Sequence, residues 1–166
     1  MQLTRRQAIS GFAAVSAIAL VRQGRADEPT ITVRKAANCG CCLGWVNHLR
    51  LAGFTVEVEV IDTAELDRLK TRLDVPSELR ACHTAEVENY VIEGHVPAKI
   101  IRRLLGEKPE AAGLAVPGMP IGAPGMEIAD VPLDEYEVVL FGPAGPRVYA
   151  RFRGAEEMDI PRGTPL

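Results

Sequence analysis

The sequence lacks three features that would point to whole classes of protein. It has no excess of basic residues: 19 Lys and Arg against 22 Asp and Glu give a formal net charge of −3, which argues against nucleic-acid binding. It has no internal repeats, and its apolar stretch at residues 8–21 is shorter than the ~20 residues that a transmembrane helix needs. With 166 residues, 47% of them hydrophobic, the chain is expected to form one domain with a single core.

Residues 1–26 have the composition of an export signal. They contain four arginines and no acidic residue, and they end in the small-x-small sequence Gly24-Arg25-Ala26. This pattern is typical of a cleaved signal peptide, and the pair Arg5-Arg6 resembles a twin-arginine signal. A general secretory signal and an uncleaved N-terminal anchor stay open as alternatives. We expect cleavage near Ala26 and an acidic, periplasmic mature chain without stable membrane insertion.

The four cysteines need an explanation in an exported protein, because the periplasm oxidises free thiols. Three of them lie in Cys39-Gly-Cys41-Cys42, and the fourth, Cys82, is followed directly by a histidine. The Cys-x-x-Cys spacing of Cys39 and Cys42 indicates thioredoxin-like redox chemistry when it lies in a strand-helix-strand unit. The third thiol adds little to disulfide exchange, but it adds a donor atom to a metal site.

Hydrophobic patterning predicts an α/β domain, with a mixed sheet flanked by helices in the order βαβα–β–α–ββ. Strands are predicted at residues 30–34, 54–61, 88–92, 136–141 and 147–152, and helices are predicted to begin near Cys41, after a cap at Asp62, and near Pro97. The first three cysteines therefore fall where a strand ends and a helix begins. The free N–H groups of a helix N-terminus favour thiolates.

Two further segments of the chain have functional or structural expectations of their own. The Pro- and Gly-rich stretch of residues 109–132 is long for a loop inside a compact domain, which favours a functional role. The polar segment of residues 155–166 is predicted to be a flexible tail. These boundaries place the folded domain at residues 27–154.

Sulfur and imidazole donors outside the first cysteine motif extend the predicted site. Met119 and Met126 lie in two Pro-Gly-Met turns, and His83 and His95 lie near Cys82 in sequence. Thiolate and thioether together select copper(I), whereas the paired C-x₂-C layout of structural zinc sites is absent. We predict a copper(I) site able to hold more than one ion, with these candidate ligands: Cys39, Cys41, Cys42, Cys82, Met119, Met126, His83 and His95.

Each additional ligand has a simpler interpretation. Taken alone, Met119 and Met126 fit loop anchors packed on the core better than ligands, and the two candidate histidines fit structural residues as well as ligands. His48 is predicted to face solvent, because it lies away from Trp45 and Leu49 on the first helix.

Several motifs occur in order along the chain and together resemble one family. They are Cys39-Gly-Cys-Cys42 with Trp45 nearby, Cys82-His83-Thr-Ala85, the segment 90–98, and the Pro-Gly-Met segments 113–120 and 124–127. They are similar to those of the CopG family of periplasmic copper-resistance proteins, long catalogued as an exported domain of unknown function. The resemblance spans residues 31–152. It implies a thioredoxin-like fold, copper binding through the four cysteines, and a role in copper handling.

Other functions remain open from the residues alone. A thiol–disulfide oxidoreductase would use Cys39 and Cys42 as its redox pair. Four cysteines are also enough for an iron–sulfur cluster or for two structural disulfides. The expected partners are copper ions and other periplasmic copper-handling proteins.

Overall fold

The computed structural model describes residues 29–159 and shows one mixed α/β domain. Its strands are β1 (Ile31–Lys35), β2 (Val56–Val60), β3 (His83–Val87), β4 (Tyr90–Glu93), β5 (Gly113–Ala115), β6 (Glu135–Phe141), β7 (Arg147–Arg153) and β8 (Glu156–Met158), and its α-helices are α1 (Gly40–Leu51), α2 (Thr63–Arg72) and α3 (Ala98–Glu107). The eight strands form one sheet in the order β2-β1-β3-β4-β5-β6-β7-β8. This arrangement confirms the predicted mixed sheet flanked by helices.

Two predicted segments fall wholly or partly beyond this range. The predicted export signal, residues 1–26, and the end of the predicted tail, from residue 160 onward, lie outside the described residues. Within residues 29–159, no helix combines the length and the apolar character needed to cross a membrane.

The first strand-helix-strand unit confirms the predicted order of strand, helix and strand at the start of the domain. β1 and β2 pair in parallel, with Ile31 opposite Val56, and α1 connects them. Neighbouring parallel strands can be joined only by a crossover connection, and here the amphipathic helix α1 forms it. The helix ends at Leu51, and Gly53 then adopts a φ of +101° in the turn that leads to β2.

The helices cover both faces of the sheet. Trp45 of α1 and Ile100 of α3 are fully buried in one core cluster with Ile31, so α1 and α3 lie on the same face. α2 lies on the opposite face, where Lys70 reaches Thr84 of β3. The cysteines lie at the end of the sheet where β1 ends and the neighbouring antiparallel strand β3 begins.

The two later helices begin where sequence signals place them. The Asp62 carboxylate accepts the N–H of Glu65 at 2.8 Å and caps α2, as predicted. Pro97 directly precedes α3. That helix runs past Gly106 and ends at Glu107, where the following residue, Lys108, takes the left-handed conformation.

The region from Cys82 to Gly94 differs from the prediction. It contains two antiparallel strands, β3 and β4, joined by a tight turn at residues 88–89, rather than the single predicted strand. β3 has the sequence HTAEV, and its buried positions include His83 and Thr84. Buried polar residues break the apolar alternation on which the strand prediction depended.

Two short strands also lie in segments predicted to be irregular. β5 lies within the Pro- and Gly-rich stretch and pairs with both β4 and β6. β8 pairs with β7. The sheet therefore extends past Gly154, into the segment for which the sequence predicted a flexible tail. Each of these strands has only three residues, which is too short for a periodic pattern to appear.

Candidate metal centre

The first three cysteines lie at the N-terminus of α1. Cys39 is the N-cap residue, and Cys41 and Cys42 fall in the first helical turn. The Cys39 side chain makes no capping hydrogen bond. The first-turn N–H groups of a helix have no partner within the helix and carry partial positive charge. The motif therefore presents its sulfurs where negative charge is favoured.

The fourth cysteine completes a compact group of sulfur atoms. Cys39 and Cys42 form a disulfide whose Cα atoms are 5.4 Å apart. The free thiols flank it: Cys41 Sγ is 3.5 Å from Cys39 Sγ, and Cys82 Sγ is 3.6 Å from Cys42 Sγ and 4.0 Å from Cys41 Sγ. The four sulfurs all lie within 4.8 Å of one another. The structure thus brings together all four cysteines named by the sequence.

Cys82 also belongs to a second group of donors. Its sulfur is 3.3 Å from His83 Nδ1 and 3.2 Å from His95 Nε2. Both imidazoles are completely buried. His83 packs against the Trp45 ring, with centroids 4.4 Å apart. Cys82 is therefore the atom at which the sulfur cluster and the two imidazoles meet.

The hydrogen bonds of the two histidines identify their free nitrogens. His95 Nδ1–H donates to the Pro124 carbonyl at 2.8 Å, because a carbonyl oxygen can only accept. Its Nε2 therefore carries the lone pair that faces Cys82. Metal-binding histidines typically donate their other ring N–H to a carbonyl in this way. The Nε2 of His83 is buried and has no hydrogen-bond partner within the described residues.

Burial shifts the protonation of this centre toward neutral forms. It lowers the pKa of His83 well below its usual range, and the charges of His95 and Lys70 lower it further. Burial also lowers the pKa of His95. It raises the pKa of the Cys82 thiol to about 12, and the neighbouring Cys41 sulfur acts in the same direction. The imidazoles are therefore neutral and able to coordinate at neutral pH, whereas a metal must displace the Cys82 proton.

A buried ion pair holds the segment that carries Cys82 and His83. The Lys70 ammonium pairs with the Glu93 carboxylate, and both side chains are almost fully buried. Glu93 also accepts the Ala81 N–H at 2.6 Å and the Thr84 hydroxyl at 2.7 Å. These contacts fix the chain on both sides of residues 82–83. Removing one partner of such a pair costs about 3–5 kcal/mol, because a charge is left buried alone.

The second Pro-Gly-Met turn packs against the cysteine helix. Gly125 lies so close to α1 that a Cβ there would come within 2.8 Å of the Cys41 carbonyl oxygen. The preceding carbonyl, that of Pro124, holds His95. Met126 is partly buried and packs against the main core. This turn is therefore part of the wall of the centre.

The first Pro-Gly-Met turn lies in a different setting. Met119 is 56% exposed. It lines an open groove with Leu79, Pro120 and Tyr136, and that groove contains none of the cysteines or histidines of the centre.

His48 differs from its predicted role. It is half-buried, and its Nε2 accepts the N–H of Ala98 at 3.1 Å, so it supports the first turn of α3 instead of facing solvent. Its neutral form suits this role, because burial lowers the pKa of His48. Tertiary contact between α1 and α3 brings the donor, the Ala98 N–H, to His48, and no local sequence pattern indicates this contact.

Sequence reasoning missed the charged residues around the centre. Lys70 and Glu93 carry no local sign of burial in the sequence, yet both are buried. Lys35 is buried as well, and here a signal exists: it continues the inward alternation of Ile31 and Val33 along β1.

The donor set fits a soft metal ion. Thiolates and neutral imidazoles are ligands of soft and borderline metal ions such as copper(I) and zinc. The buried His83 nitrogen without a partner is consistent with a centre whose ligands are placed in advance. With the Cys39–Cys42 disulfide formed, two sulfurs and two imidazoles remain as donors.

Comparisons with known proteins agree with this chemistry. The model of a family described as protein of unknown function, DUF411, matches residues 79–126. A solved structure described as copper resistance protein CopG, form 1, is 41% identical, with a TM-score of 0.70, and the match covers 76% of this chain and 99% of that chain. Form 2 of that protein is 40% identical, with a TM-score of 0.69 and coverages of 75% and 98%. No curated protein matches the chain. The identity and coverage of the solved structures show that the chain belongs to the CopG family of copper resistance proteins.

Proposed function

We propose that this protein binds copper(I) in the periplasm and acts in copper resistance through its sulfur-rich centre. One observation carries the proposal: Cys82 is shared by a cluster of four sulfur atoms and by two buried imidazoles. Two buried neutral imidazoles beside clustered thiols form a donor set that suits copper(I) better than hard ions such as magnesium or calcium. The two similar solved proteins are described as copper resistance proteins.

The proposed ligands are drawn from the residues that converge on the centre. They are Cys39, Cys41, Cys42, Cys82, His83 and His95, with the Met126 thioether as an additional donor. The sulfur atoms lie close enough for thiolates to bridge two metal ions, so we propose that more than one copper ion binds. Met119 is left out of the proposed set, because its side chain is exposed and lines an open groove that contains none of these residues.

The disulfide adds a redox aspect to this function. Copper(I) binding by all four sulfurs requires that the Cys39–Cys42 bond first be reduced by two electrons and two protons. In the opposite direction, oxidation of these two thiols to the disulfide releases two protons and two electrons, which reduce two copper(II) ions to copper(I). We propose that the centre cycles copper between its two oxidation states by this reaction and its reverse, in which two copper(I) ions supply the two electrons that reduce the disulfide and the two sulfurs take up two protons.

The fold and the N-terminal residues support an exported, thioredoxin-like protein. A Cys-x-x-Cys pair at the start of the helix in a strand-helix-strand unit is the thioredoxin-like arrangement, and β1, α1 and β2 have this order here. We propose that residues 1–26 are a twin-arginine export signal. The copper is then exchanged with other periplasmic copper-handling proteins.

Anaerobic titration of the reduced protein with copper(I) tests the proposal. The wild type is expected to bind copper(I) tightly in competition with a chromophoric chelator. The triple variant Cys39→Ser/Cys41→Ser/Cys42→Ser is expected to lose this binding, whereas Met119→Leu, which removes a sulfur outside the proposed set, is expected to retain it. Equal affinity of the triple variant and the wild type would exclude the proposed site.

A second candidate function is thiol–disulfide exchange, and the Cys39–Cys42 disulfide favours it. Its two sulfurs have the spacing of a redox pair, and Cys41 and Cys82 flank them as free thiols. An oxidoreductase would reduce or oxidise a model disulfide substrate without metal, and Cys41→Ser would leave that activity intact. A copper protein would lose affinity in the same variant.

A further inference from the structure

Two buried lysines lie near the proposed ligands, and their partners differ. Lys70 pairs with the buried Glu93 carboxylate. Lys35 is only 2% exposed, and its ammonium donates to the carbonyl oxygens of Ala36 at 2.8 Å and Ala37 at 3.4 Å. Among the described residues it forms no ion pair. Lysine is almost never fully buried unless it is paired with an opposite charge, so Lys35 is the exception to explain.

The position of Lys35 places its charge beside the metal centre. It is the last residue of β1 and lies on the same face as Ile31 and Val33, which is the face that α1 covers. In the antiparallel register of β1 and β3 it lies opposite His83. Side chains that are directly opposite in such a pair are neighbours. The carbonyls that hold the ammonium belong to the turn leading into the first cysteine.

The geometry places both lysine charges next to the centre: Lys35 lies opposite His83, and the Lys70 ammonium donates to the hydroxyl of Thr84, the residue after His83. Each lysine charge contributes to holding the pKa of His83 well below its usual range, after the larger effects of burial and of His95. The Lys70 charge is offset by Glu93. With neutral thiols and neutral imidazoles, the region therefore carries one uncompensated positive charge, that of Lys35.

Metal loading changes this balance in a way that depends on the charge of the ion. Each thiolate contributes one negative charge, and each copper(I) ion contributes one positive charge. If the same thiolates hold a divalent ion such as zinc instead, the site gains one more positive charge for every ion. This difference holds whatever the number of ions. A fixed buried cation nearby therefore disfavours the divalent ion relative to copper(I), and in a low-dielectric interior the effect is large.

We propose that Lys35 is a specificity-determining residue, whose buried ammonium favours copper(I) over divalent metal ions by compensating the negative charge of the loaded thiolate site. The inference rests on the proposed copper function and adds the residue that sets the preference. It also explains why a lysine without a carboxylate is tolerated at this position, because a site in which thiolates outnumber copper(I) ions supplies the counter-charge.

Paired affinity measurements on reduced, purified protein test the inference. Copper(I) and zinc(II) affinities are measured anaerobically, each by competition with a chromophoric chelator. The variants are Lys35→Met, which keeps length but removes charge, and Lys35→Arg, which keeps the charge. Lys108→Met is the matched control, because Lys108 has the same charge on a side chain that is 65% exposed.

The expected result is a change in the ratio of the two affinities. Lys35→Met should lower copper(I) affinity relative to zinc(II) affinity by about 10- to 100-fold. Lys35→Arg should restore most of the ratio, and Lys108→Met should leave it unchanged. In the metal-free protein, Lys35→Met should raise the free energy of unfolding, because a buried uncompensated charge is removed.

Other outcomes overturn the inference. If Lys35→Met weakens copper(I) and zinc(II) by the same factor, or fails to fold without metal, the lysine serves only to hold the turn. If the ratio does not change, the charge has no role in selection. These outcomes differ from failure of the proposed function, in which the wild-type protein itself would bind copper(I) no more tightly than the triple cysteine variant.

Discussion

The two Pro-Gly-Met turns share three residues but occupy different environments. Gly118 and Gly125 both have left-handed backbones, with φ of +71° and +85°. A Cβ at Gly118 would meet nothing within 4 Å, whereas one at Gly125 would come within 2.4 Å of the backbone nitrogen of Trp45. The second turn also holds His95 through the Pro124 carbonyl. The shared local sequence places both glycines in the left-handed region, but only contact with α1 makes the second turn part of the metal centre.

The largest difference between the turns should appear when each glycine is replaced by alanine. Gly118→Ala should cost about 1–2 kcal/mol in the free energy of unfolding, which is the left-handed backbone penalty alone. Gly125→Ala should cost about 3–5 kcal/mol, because the methyl group also collides with the α1 backbone. Urea unfolding of both variants measures the two losses, and equal losses would show that the packing of the second turn is unimportant.

The next effect concerns the histidine that the second turn holds. His95→Gln should lower copper(I) affinity by about 10- to 100-fold, because it removes an imidazole whose nitrogen faces Cys82. His48→Gln is the matched control, since this histidine lies outside the donor cluster and only accepts the Ala98 N–H. Anaerobic competition titration measures both. A larger loss for His48→Gln than for His95→Gln would contradict the proposed ligand set.

A smaller effect is expected for the thioether of the second turn. Met126→Leu keeps side-chain volume, so the free energy of unfolding should change by less than about 1.5 kcal/mol. Copper(I) affinity should nevertheless fall by about tenfold, because a soft donor is lost. Parallel unfolding and titration experiments separate these quantities. Unchanged affinity would make Met126 a packing residue, which is the simpler interpretation of its sequence.

The smallest effect is expected in the first turn. Met119→Leu should change the free energy of unfolding by no more than about 0.5 kcal/mol, as is usual for exposed positions, and should leave copper(I) affinity at the wild-type value. The same two measurements apply. If this variant lost as much affinity as Met126→Leu, the two turns would be equivalent in function despite their different surroundings.

The sequence allowed much of the site to be predicted, because its main parts are local. Cys39, Cys41 and Cys42 follow a β-branched strand and precede an amphipathic helix, so their place at a helix N-terminus could be read directly. The same reasoning identified Cys82 and His83 as donors, although it missed the strand β3 that carries His83, because its buried polar residues hid the alternation.

The remaining features depend on contacts between distant segments. The ion pair of Lys70 and Glu93 joins α2 to β4 on one face of the sheet, and neither residue carries a local sign of burial. The Cys39–Cys42 pairing was one of several open to four cysteines, and the folded chain selects it. The sequence predicts that His48 faces solvent, but in the structure α3 brings the Ala98 N–H within hydrogen-bond distance of its Nε2.

The sequence by itself determined the chemistry of this protein: which soft donors it has, and that three of them stand at the start of one helix. Residue types and short-range periodicity are properties of the chain, so they are readable before folding. Only the tertiary structure decided which of the two Pro-Gly-Met turns contacts that helix and which lysine is buried without a carboxylate. Burial and charge compensation depend on neighbours distant in sequence, and no local pattern specifies those neighbours.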